Sequence, residues 1–309
     1  MMKISGYPEP QTPAPFGLLL DVDGPIANPV TRRLDAPGLA QLLSQLADHR
    51  IPVIFNTGRA HDFVNMQVVR PMLAGGLRCP WNVFAILEKG AVWARADFRG
   101  LGIPTVDEAL TTPEALSEQV RLLVERRYSG TMFLDEGKDA MISVEQRTDV
   151  STAEYLGAQQ QLLDDLDDLL SECGIAATRL DTAEELGAGT ESARQEPSER
   201  QRLDIDPTII SVDIQVAGTG KALGAQRALR LLADDHIPTP QRWITYGDSV
   251  TDYAMADWVH AHGMEVTHVD VRPVDSAPTP PYRVLTYPDV QNDLAALRSL
   301  RHLAATLSN

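Results

Sequence analysis

The sequence predicts an α/β protein, a largely parallel sheet flanked by helices and interrupted in the chain by an α+β insertion. Three observations carry this. Short apolar runs alternate with amphipathic helical segments between residues 17 and 87, the pattern of β-α-β units. The same alternation returns after about residue 217. The stretch between lacks that rhythm and mixes a long helical pattern with half-buried strand patterns. The expected organisation is therefore a core built from 14–108 and 217–309, with 109–216 inserted.

The first element is Gly17 to Asp23, a nearly continuous apolar run that suits a strand covered on both faces. A helix follows from about Pro37 to His49, with Leu39, Leu42, Leu43 and Leu46 on one face. Ile51 to Phe55 reads as a second strand, Ala60 to Met72 as a helix, and Val83 to Leu87 as a third strand. In the insertion, Thr112 and Pro113 read as the N-cap and first residue of a helix through Leu116, Val120 and Val124. Ala140 to Gln146 alternates like a strand. Ser151 with Glu154 fits a capping box for a long helix that should stop at Gly174. Residues 186–202 are polar and read as an exposed loop, and Ile209 to Val216 as a strand. The core then resumes with a helix from Lys221, a strand at Arg242 to Tyr246 and a helix at Asp252 to His262. Strands at Val266 to Val271 and Tyr282 to Tyr287 precede a last helix, Val290 to Leu307.

With 309 residues, the chain is longer than one ordinary core needs. Its net charge of −16 argues against nucleic acid or an anionic membrane surface as partner. Cys79 and Cys173 form no CxxC pair and read as buried or free thiols of a reducing compartment. The proline-rich start lacks the apolar core of a secretory signal, and no run reaches the roughly 18 apolar residues of a membrane span. The expected location is the cytoplasm, and the sequence does not fix an oligomeric state.

Three polar clusters sit at predicted strand ends: Asp21-Val22-Asp23-Gly24, Asn56-Thr57-Gly58-Arg59 and Gly247-Asp248-Ser249-Val250-Thr251-Asp252. Lys221 opens a helix. Ligands of open parallel sheets bind beyond the carboxyl ends of the strands, so these four places can meet in one crevice. Together they hold what a phosphoryl transfer needs: an in-line nucleophile, positive charge on the phosphoryl oxygens and an acid for the leaving oxygen. Asp21 can attack phosphorus and Asp23 can protonate the departing alcohol. Asp248 can complete an oxygen-rich Mg²⁺ site beside Asp21, with Asp252 one helical turn on as its support. The Thr57 hydroxyl and Gly58 N–H can bind phosphate, and Lys221 supplies a point charge. Carboxylates so crowded repel by roughly 1–4 kcal/mol per pair, and a divalent ion reverses that sign.

The stretches DVDGP (21–25), NTGR (56–59), Lys221 and GDSVTD (247–252) resemble, in order and context, the haloacid dehalogenase superfamily, over about residues 17–271. The resemblance implies a Rossmann-like core with an inserted cap of the C2 type, which would act as a lid. It implies a phosphatase rather than a dehalogenase, since the phosphatases carry the second aspartate, here Asp23. It also implies Asp21, Asp23 and Asp248 at the metal, a Mg²⁺ cofactor and a small phosphate ester as partner. LEKGAVW (87–93), AMISVEQR (140–147) and ISVDIQVAGTGK (210–221) look like the IIB branch. That branch includes trehalose-, sucrose- and mannosylglycerate-phosphate phosphatases, Cof-type hydrolases and phosphomannomutases. Pro25, Lys89 and Thr251 depart from the usual pattern without removing a carboxylate. Two other readings stay open, a phosphomutase of the same branch and a non-catalytic binder of a phosphate ligand. Lys138, Ser143, Glu145 and Arg147 in the insertion are candidate specificity residues or a solvated strand face. Glu88 reads as a surface acid at a strand end, and the four tryptophans as core.

Overall fold

The computed structural model describes residues 12–180, 202–272 and 278–307. Most of the proline-rich start and residues 186–201 of the expected polar loop lie outside the described residues.

β1 (Gly17–Leu20) is buried at every position, so its three leucines contribute roughly 1.5–3 kcal/mol each by leaving water. The chain then turns tightly, with Ile26 and Ala27 N–H both donating to the Val22 carbonyl. α1 (Leu39–Asp48) buries the leucine face expected of it. After β2 (Val53–Asn56), the single helix read from the sequence is three segments: α2 (His61–Val64), a wider π turn at Asn65–Val69, and α3 (Arg70–Ala74). The Asn65 side chain accepts a hydrogen bond from the Leu101 N–H at 3.0 Å. β3 (Val83–Leu87) is followed by β4 (Val92–Asp97) and β5 (Gly100–Leu101), which run antiparallel and went unread in the sequence.

The next elements are β6 (Thr105–Val106), α4 (Glu114–Arg127), β7 (Met132–Leu134), β8 (Ile142–Gln146), α5 (Thr152–Glu172), β9 (Ala177–Arg179), β10 (Leu203–Pro207) and β11 (Ser211–Val216). The chain ends with α6 (Lys221–Asp234), β12 (Arg242–Gly247), α7 (Tyr253–Ala261), β13 (Glu265–Asp270), β14 (Arg283–Leu285) and α8 (Asn292–Leu307). Two compact units result: one holds the described residues up to Pro104 and from Gly220 onward, the other Thr105–Thr219.

In the first unit the strand order is β14-β13-β12-β1-β2-β3-β4-β5. β1 pairs in parallel with β2 on one side and β12 on the other. The strand order therefore reverses direction at β1, which creates a crevice at its carboxyl end. Leu19, Ile54, Phe84 and Ile86 pack against α6 and α7 through Ala225, Leu232, Met255 and Val259. The opposite face meets α8, where the Tyr246 and Ser299 hydroxyls bond at 2.9 Å.

In the second unit the order is β7-β8-β11-β10-β9, antiparallel except for β9 with β10. Ile142, Val144, Val212, Ile214, Leu203 and Ile205 face α4 and α5. The alternate residues Ser143, Glu145, Asp213 and Gln215 share the other face. Ser151 caps α5 by accepting the Glu154 N–H, as the sequence signals. Thr112 does not cap α4: its N–H and hydroxyl both donate to the Ala140 carbonyl, at 2.8 and 3.2 Å, and Pro113 takes the cap position. Among the described residues no helix is long and apolar enough to cross a membrane.

Candidate active site

Asp21 is the first residue past β1, and its N–H still donates to the Tyr246 carbonyl of β12 at 3.0 Å. The sheet thus fixes the backbone that carries it. Asp248 is the first residue past β12. Asp252 closes the short turn Val250–Asp252 and bends back over it. Its Oδ2 accepts the N–H of Asp248 and of Ser249, both at 3.1 Å, and the Ser249 hydroxyl at 2.8 Å. One oxygen each of Asp21, Asp248 and Asp252 lies within 4.8 Å of the others.

Lys221 begins α6 and joins this group from the far side of the insertion in sequence. Its Nζ lies 2.6 Å from Asp21 Oδ1 and 2.6 Å from Asp252 Oδ1, and donates to the Asn56 carbonyl at 2.9 Å. Asn56 returns the bond through Nδ2 to the Lys221 carbonyl, also at 2.9 Å. This reciprocal pair locks the end of β2 to the start of α6. Gly24 makes the crowding geometrically allowed. Its φ of +84° is left-handed, and a Cβ there would overlap the Asp248 carboxylate.

Burial raises the Asp21 carboxyl well above the ordinary range, against the pull of Lys221 and with the help of Asp252, Asp248 and Asp23. Burial, with Asp252 next, pushes Asp248 up to about 7. Burial also works against the Lys221 ammonium, but Asp21 and Asp252 outweigh it and hold its pKa above that of a free lysine. The site therefore concentrates carboxylate oxygens faster than its own cations neutralise them. An all-oxygen donor set with a charge deficit fits a hard divalent cation such as Mg²⁺.

Asp23 stands apart from that trio. Its two carboxylate oxygens accept from Arg59 Nε and Nη2, both at 2.9 Å, a bidentate clamp. Arg59 is itself buried and lies over the Phe63 ring at 4.5 Å. Thr57 is fully buried, and its N–H donates to the Ile86 carbonyl at 2.9 Å. Its hydroxyl oxygen accepts the Arg59 N–H at 3.1 Å, which leaves the hydroxyl proton to donate. Gly58 is partly exposed.

In the second unit, Ser143 donates to Asp213 at 2.6 Å and Glu145 is buried beside it on the same strand face. Lys138 Nζ lies 3.7 Å from Asp135, and Arg147 pairs with Asp149 at 3.1 Å on a half-exposed side chain. Gln215 Oε1 is buried without a hydrogen-bond partner among the described residues.

Some residues escaped the sequence reading. Arg59 stood in a quoted cluster without a role, and only the fold reveals its clamp on Asp23. Asn56 carried no signal that it would exchange bonds with Lys221. Glu88 is corrected: it is 1% exposed rather than a surface acid, because the chain turns inward after β3. Of the tryptophans, Trp243 is fully buried, while Trp81, Trp93 and Trp258 are partly covered. Behind the site, His268 of β13 is fully buried. Its Nδ1 bonds with the Thr245 hydroxyl at 2.8 Å, and its ring lies 4.1 Å from that of Tyr253. Burial lowers its pKa to about 4.

No protein-family model matches the sequence, and no curated protein sequence matches it. Solved structures do match. A trehalose-6-phosphate phosphatase related protein aligns with a TM-score of 0.53 at 13% identity, covering 94% of this chain and 99% of that one. The C-terminal domain of the C. albicans trehalose-6-phosphate phosphatase gives 0.60 at 14% identity, covering 94% and 92%. A Thermoplasma acidophilum protein gives 0.53 at 13% identity, covering 93% and 97%. Likeness at such identities is a likeness of fold: this chain has the haloacid dehalogenase-type fold that the sequence resemblance implied.

Proposed function

We propose that this protein is a Mg²⁺-dependent phosphatase that hydrolyses a small phosphomonoester, a sugar or polyol phosphate, through an aspartyl-phosphate. The observation that carries the reading is the placement of Asp21. It sits at the carboxyl end of the central strand, 2.6 Å from Lys221 and grouped with Asp248 and Asp252. The trehalose-6-phosphate phosphatases of the same fold support the substrate class.

Asp21 attacks phosphorus as the ester P–O bond breaks, and Asp23 gives its proton to the departing oxygen. Asp23 then takes a proton from water as that water attacks phosphorus, the Asp21–phosphorus bond breaks and inorganic phosphate leaves. Arg59 holds the Asp23 carboxylate in one orientation through both steps. Thr57 and Gly58 donate to the phosphoryl oxygens, and Lys221 fixes the Asp21 carboxylate and adds positive charge. We assign the carboxylates of Asp21 and Asp248 to the metal, with Asp23 contributing through its main-chain carbonyl because Arg59 holds its carboxylate, and Asp252 supporting the Asp248 turn. When bound, Mg²⁺ supplies positive charge to the transferring group. The insertion, through Lys138, Ser143, Glu145 and Arg147, selects the alcohol portion of the ester.

A screen of phosphorylated metabolites with the purified protein, detecting inorganic phosphate, tests this. Release should require Mg²⁺, stop with EDTA and return when Mg²⁺ is restored. Isomerisation with little free phosphate would point to a phosphomutase instead. No turnover of any ester would overturn the reading.

A further inference from the structure

Asn56, the last residue of β2, is a costly choice for its place. It is fully buried, and its Oδ1 has no hydrogen-bond partner among the described residues. A buried polar atom left unpaired costs roughly 1–3 kcal/mol. Turning the amide over does not remove that cost. Nδ2 lies 2.9 Å from the Lys221 carbonyl, which can only accept, so the nitrogen must stand there and the oxygen must face away. A second cost lies on α6. Gly224 sits in its first turn without a positive φ, where alanine would favour the helix by about 1 kcal/mol. Space, not conformation, asks for this glycine. A Cβ at 224 would overlap Asn56 Oδ1 and stand 2.5 Å from its Cγ and 2.7 Å from its Nδ2. If packing were the only need, a small apolar residue at 56 with alanine at 224 would meet it at lower cost.

What the amide adds is a hold on Lys221 at both of its ends. The Asn56 carbonyl accepts from Nζ at 2.9 Å, and the Asn56 side chain donates to the Lys221 carbonyl at 2.9 Å. A lysine ammonium is a point charge on a flexible four-carbon stem, so its position depends on what fixes the stem and its root. Here the root is fixed by the amide and the tip by the main chain of the same residue. The tip lies 2.6 Å from Asp21 Oδ1 and 2.6 Å from Asp252 Oδ1. The direction of the Asp21 carboxylate therefore follows from where Lys221 begins, and in-line attack on one bond depends on that direction.

We propose that Asn56 is a positioning residue that acts through Lys221: its amide fixes the start of α6, so that the ammonium holds the Asp21 carboxylate in line with phosphorus, and Gly224 is present to admit that amide. This rests on the phosphatase reading above. The two local costs are kept because together they aim the nucleophile.

The test compares wild type with Asn56→Ala, Gly224→Ala and the double variant Asn56→Ala/Gly224→Ala, all with Mg²⁺. Thermal melting reports the fold, and steady-state kinetics on the best ester from the screen are run well below every melting point. Asn56→Ala should lose kcat by at least about tenfold, since a small misplacement of reacting groups is enough for that. KM should change less than about threefold, because a fully buried amide does not touch the ester. Gly224→Ala should lose kcat to a similar extent and melt lower than wild type, because its Cβ displaces the amide without removing any polar group. In the double variant the new methyl occupies space the amide has left and suits the helix, so melting should rise above that of Asn56→Ala while kcat stays low. A kcat within about threefold of wild type in Asn56→Ala, or in the double variant if Asn56→Ala does not fold, would make the amide purely structural. That result, or a kcat that recovers together with the melting temperature in the double variant, would overturn the proposal and leave the phosphatase reading standing. A wild-type protein that releases phosphate from no ester would overturn both.

Discussion

The two sheets of this protein keep their polar groups in different places. The core sheet is apolar on both faces along most of β1, β2 and β3, and its polar and charged groups gather where the strands end, at Asp21, Thr57 and Asp248. The insertion's sheet is apolar on one face only, and its polar residues lie along the other, as Ser143, Glu145, Asp213 and Gln215. A strand end can project one side chain at a fixed point, held by hydrogen bonds on both flanks. A strand face offers a row of side chains at alternate positions. The first arrangement suits a reaction that must place one carboxylate in line with one bond. The second suits recognition of a molecule with several polar groups. The proposed function divides chemistry from selection along that line.

The largest effect expected from this division is at Asp21. Asp21→Asn keeps the size and removes the nucleophilic charge. Phosphate release should fall by at least about 10³-fold, with the melting temperature equal to or above that of wild type, because a buried charge is gone. Residual activity within tenfold of wild type would move the nucleophile elsewhere and break the assignment of chemistry to strand ends.

A smaller effect separates the interior of the core from its charged end. His268 is buried with a pKa of about 4, below the roughly 6.5 of an unfolded histidine. The unfolded chain therefore takes up a proton between those values while the folded chain does not. Stability is fully present above pH 6.5 and is lost as pH falls toward 4, by about 3 kcal/mol if the whole shift is expressed. The raised carboxyls of Asp21 and Asp248 act with the opposite sign, so the comparison must be between wild type and His268→Gln. The difference in their unfolding free energies should slope between pH 6.5 and 4 and be flat above. A difference independent of pH would mean that His268 titrates normally.

The two sheets also differed in how much of them could be read in advance. Asp21 follows an apolar run, and Asp248 follows the strand that begins at Arg242, so strand end and functional group were adjacent in the chain. Arg59 and Asn56 were visible as residues but not as partners, since their contacts with Asp23 and Lys221 cross 36 and 165 positions. β4 alternates as a strand should, yet its antiparallel return broke the β-α-β rhythm. The polar face of the insertion was harder still. Alternation placed Ser143 and Glu145 on one side of a strand, but a solvated face and a buried polar face share that pattern. Burial, which separates them, is a tertiary property. The Thr112 cap failed for a similar reason, because the Ala140 carbonyl competes for its hydroxyl.

The smallest expected effect probes that buried polar face. Ser143 donates to Asp213 at 2.6 Å in a buried pair, so Ser143→Ala leaves a carboxylate short of one partner and should cost roughly 1–2 kcal/mol of stability. If the face selects the alcohol portion of the ester, kcat/KM should change by a few-fold for some esters and not others, while inhibition by inorganic phosphate stays at the wild-type level. A uniform loss across all esters, with weaker phosphate inhibition, would place Ser143 with the chemistry instead. An unchanged profile with lowered stability would leave it a structural hydrogen bond. The informative quantity is therefore the ratio of kcat/KM between two esters that differ only in their alcohol, because a general loss of folded protein cancels in that ratio and a change in recognition does not.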